Sequence, residues 1–148
     1  FARKPENLDN FNFLHLRTDK FLIFASSSHP IFKNKIKIND LTKYKWTMNS
    51  AAKQTEDLFF NWFRSRNITK PKISLKTNSL RLALKVVENS SMLLFTASPV
   101  FSTPDSAKLS HVVIEDFDLN RDTGIITRKG YKSVFLNELL ENFNYRVK

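Results

Sequence analysis

The chain has 148 residues, 41% of them hydrophobic and 13% aromatic, and its 24 Lys plus Arg against 14 Asp plus Glu give a formal net charge of +10. A chain of this size buries roughly 68–70% of its unfolded surface, so it sustains a core without staples. There is no cysteine, which excludes disulfides, thiolate nucleophiles and cysteine zinc sites and favours a reducing compartment; no apolar run approaches the roughly 20 residues needed to span a bilayer.

The opening Phe1-Ala2-Arg3-Lys4-Pro5 does not read as a signal peptide. The chain starts without methionine and runs into a polar segment, Lys4–Asn10, so a fragment of something longer is expected. Phe11–Arg17 and Phe21–Ala25 are strand-like, with Ser26–Pro30 as a turn. Asn39–Tyr44 reads as a short helix capped by Asn39 or Asp40, and Trp46–Met48 as a short strand. The polar loop Asn49–Gln54 then leads into a helix, Thr55–Arg66, that places Leu58, Phe59, Trp62 and Phe63 on its buried side. Pro71 breaks the chain before a βαβ unit over Ile73–Phe101. In that unit Ile73, Leu75 and Thr77 alternate, Leu80, Leu82, Ala83, Leu84, Val86 and Val87 recur at helical spacing, and Met92–Phe95 forms an apolar run. Ser102–Lys108 reads as a loop, Leu109–Ile114 as a strand, Asp116–Asp122 as an acidic turn, Gly124–Thr127 as a strand and Ser133–Phe143 as an amphipathic helix. Strands alternating with helices imply an α/β sheet.

The chemistry-bearing motifs are few. With only Gly124 and Gly130 present, no Walker loop, dinucleotide fingerprint or GxSxG elbow can be written. His15, His29 and His111 lack metal-ligand spacing and read as structural or loop histidines, and Asp116, Asp118 and Asp122 lack the glycine and closing glutamate of an EF-hand. Glu56 and Asp57 fall at the start of a helix, where carboxylates favour the dipole more readily than they do acid–base work. No catalytic residue, metal or cofactor is assigned. Lys33, Lys35, Lys37, Lys43 and Lys45 alternate with Ile36, Ile38, Leu41 and Tyr44, a solvated lysine surface rather than a nucleic-acid face. What remains is two polar helix starts after strands, Asn49-Ser50-Ala51-Ala52-Lys53-Gln54-Thr55 and Thr77-Asn78-Ser79, each explicable by capping alone yet both placed where open sheets bind ligands.

The order of Lys20–Pro30 (KFLIFASSSHP), Ile38–Trp46 (INDLTKYKW), the loop Met48–Thr55, then TNSLRLALKVVENSSMLLFTASPVF and GIITRKGYKSVFLNELLENF resembles the effector-binding domain of LysR-type transcriptional regulators, nearest the branch with sugar-utilisation regulators. The resemblance runs along nearly the whole chain. It implies a type 2 periplasmic-binding-protein-like fold, mainly the second lobe with remnants of the first: Phe1–Ala25 as a first-lobe remnant and crossover strand, Ser26–Ile114 as the effector-binding lobe, and Glu115–Lys148 as the return crossover with a first-lobe strand and helix. It also implies that a winged helix-turn-helix and part of the first lobe precede Phe1, and that the protein is a cytoplasmic homo-oligomer touching DNA only through that missing part. By the same resemblance the effector, an anionic or sugar-like small molecule, meets Asn49, Ser50, Gln54 and Thr55 on one loop, Thr77 and Asn78 on the second helix start, and Ser28 and His29 at the crossover turn. The Met48–Thr55 loop departs from the family pattern in having neither proline nor glycine. The alternatives are a transporter's solute-binding protein of the same fold and an enzyme, the latter marked by His29 or His111 clustering with a carboxylate.

Overall fold

In a computed structural model of the chain, residues 1, 6, 50–52, 99–105, 132–133, 136–137, 139–140 and 142–148 lie outside the description, as do the side chains of residues 2, 3, 53 and 54. The elements run β1 (Ala2–Arg3), β2 (Phe11–Ser26), two 3-10 turns (Pro30–Lys33 and Ile38–Lys43), β3 (Lys45–Asn49), α1 (Lys53–Ser65), β4 (Lys72–Thr77), α2 (Leu80–Glu88), β5 (Met92–Ala97), β6 (Leu109–Val112) and β7 (Leu119–Arg128). Residues 134, 135, 138 and 141 are helical. The chain forms two compact units, one of Phe1–Arg17 with Asp122–Lys148 and one of Thr18–Arg121.

In the Thr18–Arg121 unit, β3 lies between β4 and β5 and runs parallel to both, while β2 runs antiparallel to β5 and to β6. Strand alternation sorts the apolar side chains onto two faces. Phe21, Ile23 and Ala25 of β2, Trp46 and Met48 of β3 and Leu93 and Phe95 of β5 pack with Phe59, Trp62 and Phe63 of α1. Phe24 and Leu94 take the other face, with Leu109 and with Ala83, Leu84 and Val87 of α2. The two helices cover opposite faces because the connection β3-α1-β4 moves one way across the sheet and β4-α2-β5 returns past β3. Crossovers of one hand running in opposite directions must do so. The larger core is aromatic at its centre: the Phe59 ring lies 4.8 Å from Trp46 and 4.9 Å from both Phe63 and Phe95. Trp46 Nε1 donates to the carbonyl of Leu41 at 3.0 Å, which satisfies the buried indole and anchors the second 3-10 turn.

Three elements depart from the sequence reading. Phe11–Arg17 and Phe21–Ala25 are one strand, because Asp19, which looks like an interruption, is buried and accepts from Arg121 Nη2 at 3.1 Å. The acidic turn is shorter than Asp116–Asp122: the Phe117 N–H closes on the Ile114 carbonyl at 3.3 Å, Asp116 takes a left-handed φ of 60°, and β7 has begun by Leu119. The helix read over Asn39–Tyr44 is a 3-10 turn, its start fixed by the Asp40 carboxylate accepting from the Lys37 N–H at 3.0 Å. The five lysines of the 33–45 stretch are all exposed, while Leu41 is fully buried.

In the other unit β7 pairs antiparallel with β1, Ala2 opposite Gly124 and Arg3 opposite Thr123. The Lys129 N–H donates to the Asn10 carbonyl at 3.0 Å, and Gly130 supplies the positive φ of 77° that the following turn needs. Val134 and Phe135 are 77% and 71% exposed.

Candidate functional site

The carboxyl ends of β3 and β4 meet in register, Asn49 opposite Thr77 and Met48 opposite Lys76. From these adjacent ends the chain leaves to opposite faces, into α1 and into α2. A sheet opens between two neighbouring strands whose connections part in this way, and ligands of open α/β sheets bind at such switch points. Lys76 Nζ bonds both Glu56 carboxylate oxygens, at 2.7 and 2.9 Å, tying the end of β4 to the first turn of α1. Glu56 therefore serves the helix start and a cross-link.

Of the residues expected at an effector site, Asn49 and Thr77 stand side by side and half-buried, Asn78 follows them exposed, and Thr55 is buried in the first turns of α1. Ser50 and the Gln54 side chain lie outside the described residues. Thr77 Oγ1 accepts from the Ser79 N–H at 3.0 Å, and Ser79 Oγ caps α2 by accepting from the Leu82 N–H at 3.3 Å. A hydroxyl that accepts one bond keeps its own proton, so Thr77 can still donate.

Ser28 and His29 are not brought to these strand ends. Because β2 runs antiparallel to β5, with Phe21 opposite Ala97 and Phe24 opposite Leu94, its far end lies at the amino end of β5. His29 Nδ1 accepts from the Ile31 N–H at 2.9 Å and Nε2 meets the Ser91 carbonyl at 3.2 Å, which assigns the proton to Nε2 and commits both ring nitrogens to backbone. Its ring is 5.4 Å from that of Tyr44. Ser28 lines a depression of about 370 Å³ with Ser26, Ser27, Glu88, Asn89, Ala107 and Lys108. There Lys85 at 2.7 Å and Lys108 at 3.1 Å hold the Glu88 carboxyl below its ordinary range. His111, tilted on Phe24 at 6.2 Å, is pushed below its ordinary value by burial. Among the described residues no group of three or more His, Asp or Glu could hold a metal ion, and no helix is long and apolar enough to cross a membrane.

A family model described as the LysR substrate binding domain matches residues 1–144. The chain belongs to that family. No curated protein matches it in sequence. Among solved structures it is similar to the CcmR regulatory domain of Synechocystis PCC6803 in complex with 2-PG, with a TM-score of 0.84 and 17% identity over 99% of this chain and 72% of that one. It is also similar to the effector binding domain of QuiR in complex with shikimate (TM-score 0.74, 18% identity, 97% of this chain and 68% of that one). A third likeness is to the BenM effector binding domain with its effector benzoate (TM-score 0.74, 21% identity, 97% and 66%). At such identities these likenesses give the fold, an α/β domain of the type 2 periplasmic-binding-protein-like class. Membership of the LysR family favours the regulator over a transporter's solute-binding protein.

Two features of this LysR substrate-binding domain escape a reading of the sequence. Gly124, inside the GIITRKG stretch, has no room for a Cβ: it would meet the Leu14 carbonyl oxygen and come within 2.8 Å of the Phe13 ring. Buried Asp19 pairs with the half-buried Arg121 across 102 positions of sequence. A glycine in a strand pattern signals a close approach, but nothing local names the partner.

Proposed function

We propose that the chain is the sensing module of a bacterial transcription regulator and binds a small anionic or sugar-like effector at the carboxyl ends of β3 and β4. The observation that carries this reading is the register pair Asn49–Thr77 at a switch point, in a chain of the LysR substrate-binding domain family. Asn49, Thr55, Thr77 and Asn78, with Ser50 and Gln54 between them, are assigned to the effector. Ser28 and His29, at the other end of the sheet, are left out. The preference for an anion follows from the two helix starts, α1 and α2, whose dipoles favour negative charge. The 2-PG, shikimate and benzoate held by the similar domains support it.

In this reading Ser26–Ile114, within the Thr18–Arg121 unit, is the effector-binding lobe, Phe1–Arg17 and Asp122–Lys148 belong to the other lobe, and residues 18–25 and 115–121 are crossover segments packed with the effector-binding lobe. The effector prefers one lobe arrangement and so biases a homo-oligomer in the cytoplasm, whose DNA contact is made by a winged helix-turn-helix outside this sequence. The test is thermal unfolding of the chain with benzoate, shikimate and simple sugar phosphates as probes. A ligand that binds only the folded form raises the midpoint in proportion to ln(1 + [L]/Kd). Thr77→Val is expected to weaken a responding probe by about tenfold or more, the worth of a hydrogen bond to a charged group, while Ser27→Ala leaves it unchanged. Equal response in Thr77→Val, Asn49→Ala and the parent chain, or no response to any probe, removes the reading.

A further inference from the structure

Three stretches distant in the sequence, 35–38, Arg66 and 114–116, meet around a depression of about 360 Å³ in the Thr18–Arg121 unit. Its floor is apolar. Ile114 is buried in the larger core, and the half-buried Ile36 and Ile38 pack against the same core. Lys35 and Lys37, which alternate with them, are exposed at the rim. Arg66 follows the last residue of α1, a helix of 13 residues that starts beyond the carboxyl end of β3. A helix of that length puts about 20 Å between Arg66 and the helix start, so the depression lies apart from the ends of β3 and β4.

Arg66 is bonded to neutral acceptors. Its Nη2 donates to the Asp116 carbonyl at 3.3 Å and its Nη1 to the Ser65 hydroxyl at 3.4 Å, and among the described residues no carboxylate forms an ion pair with it. The guanidinium lies over the Trp62 ring, 4.3 Å from its centroid, and Phe117 packs edge-on against the same ring at 4.6 Å. Asp116, with its φ of 60°, joins Phe117 to Ile114 in one turn. Ring, turn and guanidinium thus hold one another, which lowers the ordering cost for a ligand that uses the N–H donors left over. A planar guanidinium beside an apolar floor matches one carboxylate carried on an apolar body. Lys35 is 3.7 Å from Glu115, and the exposed Glu115 and Asp116 carboxylates on the same rim repel a second negative charge.

We propose that this depression is a ligand site in its own right and takes a small monocarboxylate with an aliphatic or aromatic body, the carboxylate on Arg66 and the carbon skeleton on Ile36, Ile38 and Ile114. The site is independent of the effector assigned to the ends of β3 and β4. Amide chemical shifts of the isotope-labelled chain during titration with sodium hexanoate test it, with hexan-1-ol and inorganic phosphate as comparisons. Hexanoate is expected to give saturable shifts at residues 36–38, 66 and 114–116 in the millimolar range, and the two comparisons to bind about tenfold more weakly or less, since each lacks either the charged hydrogen bond or the apolar body. Arg66→Gln is expected to weaken hexanoate by about tenfold, and Thr77→Val to leave it unchanged. An equal response to phosphate would reduce the site to bare charge, and an equal response to hexan-1-ol to bare apolar surface; either overturns the proposal. So do the absence of a saturable shift, binding in Arg66→Gln equal to the parent, and loss of the shifts in Thr77→Val, which would put the ligand at the strand ends. If Arg66→Gln disturbs amides throughout the unit, Arg66→Lys decides, since it keeps the charge and loses the planar fork: weaker binding supports the site, and unchanged binding overturns it. Failure here leaves the effector site at β3 and β4 standing, and failure of the probes there leaves this site standing.

Discussion

His111 and His29 look alike in the sequence, each a lone histidine beside small or apolar residues, yet their surroundings give them different physics. His29 has both ring nitrogens engaged by backbone and holds a turn. His111 lies in β6 opposite Phe24, where burial disfavours the charged ring and lowers its pKa from 6.5. The unfolded chain then binds a proton at a pH where the folded chain does not. Stability therefore falls as pH drops through 6.5, and goes on falling until the folded form is itself protonated. His111→Gln is expected to flatten this fall relative to the parent when urea midpoints are compared from about pH 7.5 down to about pH 5. Parallel profiles for the two chains would show that His111 makes no such contribution. Neither role is readable from composition, because each depends on which strand or loop lies opposite.

At the scale of elements, the helices were the legible part. The buried face of α1 follows from Phe59, Trp62 and Phe63 at helical spacing, and that of α2 from Ala83, Leu84 and Val87, since this periodicity is a local property of the chain. The long strands were less legible. The sequence reading split β2 at Thr18-Asp19-Lys20 and began β7 at Gly124, because polar residues inside a strand look like turns unless their partners are known. Gly124 makes the point energetically. In an isolated strand alanine would be the better residue, but here a Cβ collides with the Leu14 carbonyl of β2. Gly124→Ala is expected to cost about 1–3 kcal/mol through overpacking, read as a lower urea midpoint at unchanged m-value. At Gly130 a Cβ meets nothing within 4 Å, so Gly130→Ala carries only the penalty of its positive φ, about 1 kcal/mol. A reversed order of the two variants would mean that β2 and β7 have more slack than their contact implies.

The whole molecule carries apolar side chains outside its cores. Phe11, Leu14, Tyr131, Val134 and Phe135 are exposed in the unit formed by Phe1–Arg17 and Asp122–Lys148, whereas Phe24 is fully packed under α2. Leu139 and Leu140 fall outside the described residues. Exposed apolar side chains that adjoin one another mark surfaces that associate. Light scattering on the isolated chain is expected to give a mass that rises with concentration, and Phe135→Glu with Val134→Lys to suppress the rise; a constant monomer mass in the parent chain would contradict this. The sequence by itself determined what depends on near neighbours: the α/β class, the apolar faces of the helices, the solvated lysines, and the two polar helix starts that follow strands. Its family resemblance carried the fold further than periodicity could. Only the tertiary structure decided which chain ends meet. Asn49 faces Thr77 because β3 and β4 are parallel neighbours, and Ser28 and His29 go to the opposite end because β2 is antiparallel to β5. His29 finds Ser91, and Asp19 finds Arg121, across 62 and 102 positions. Local propensity has no range over such distances; strand direction and register, fixed when the two apolar faces are buried together, set those pairings.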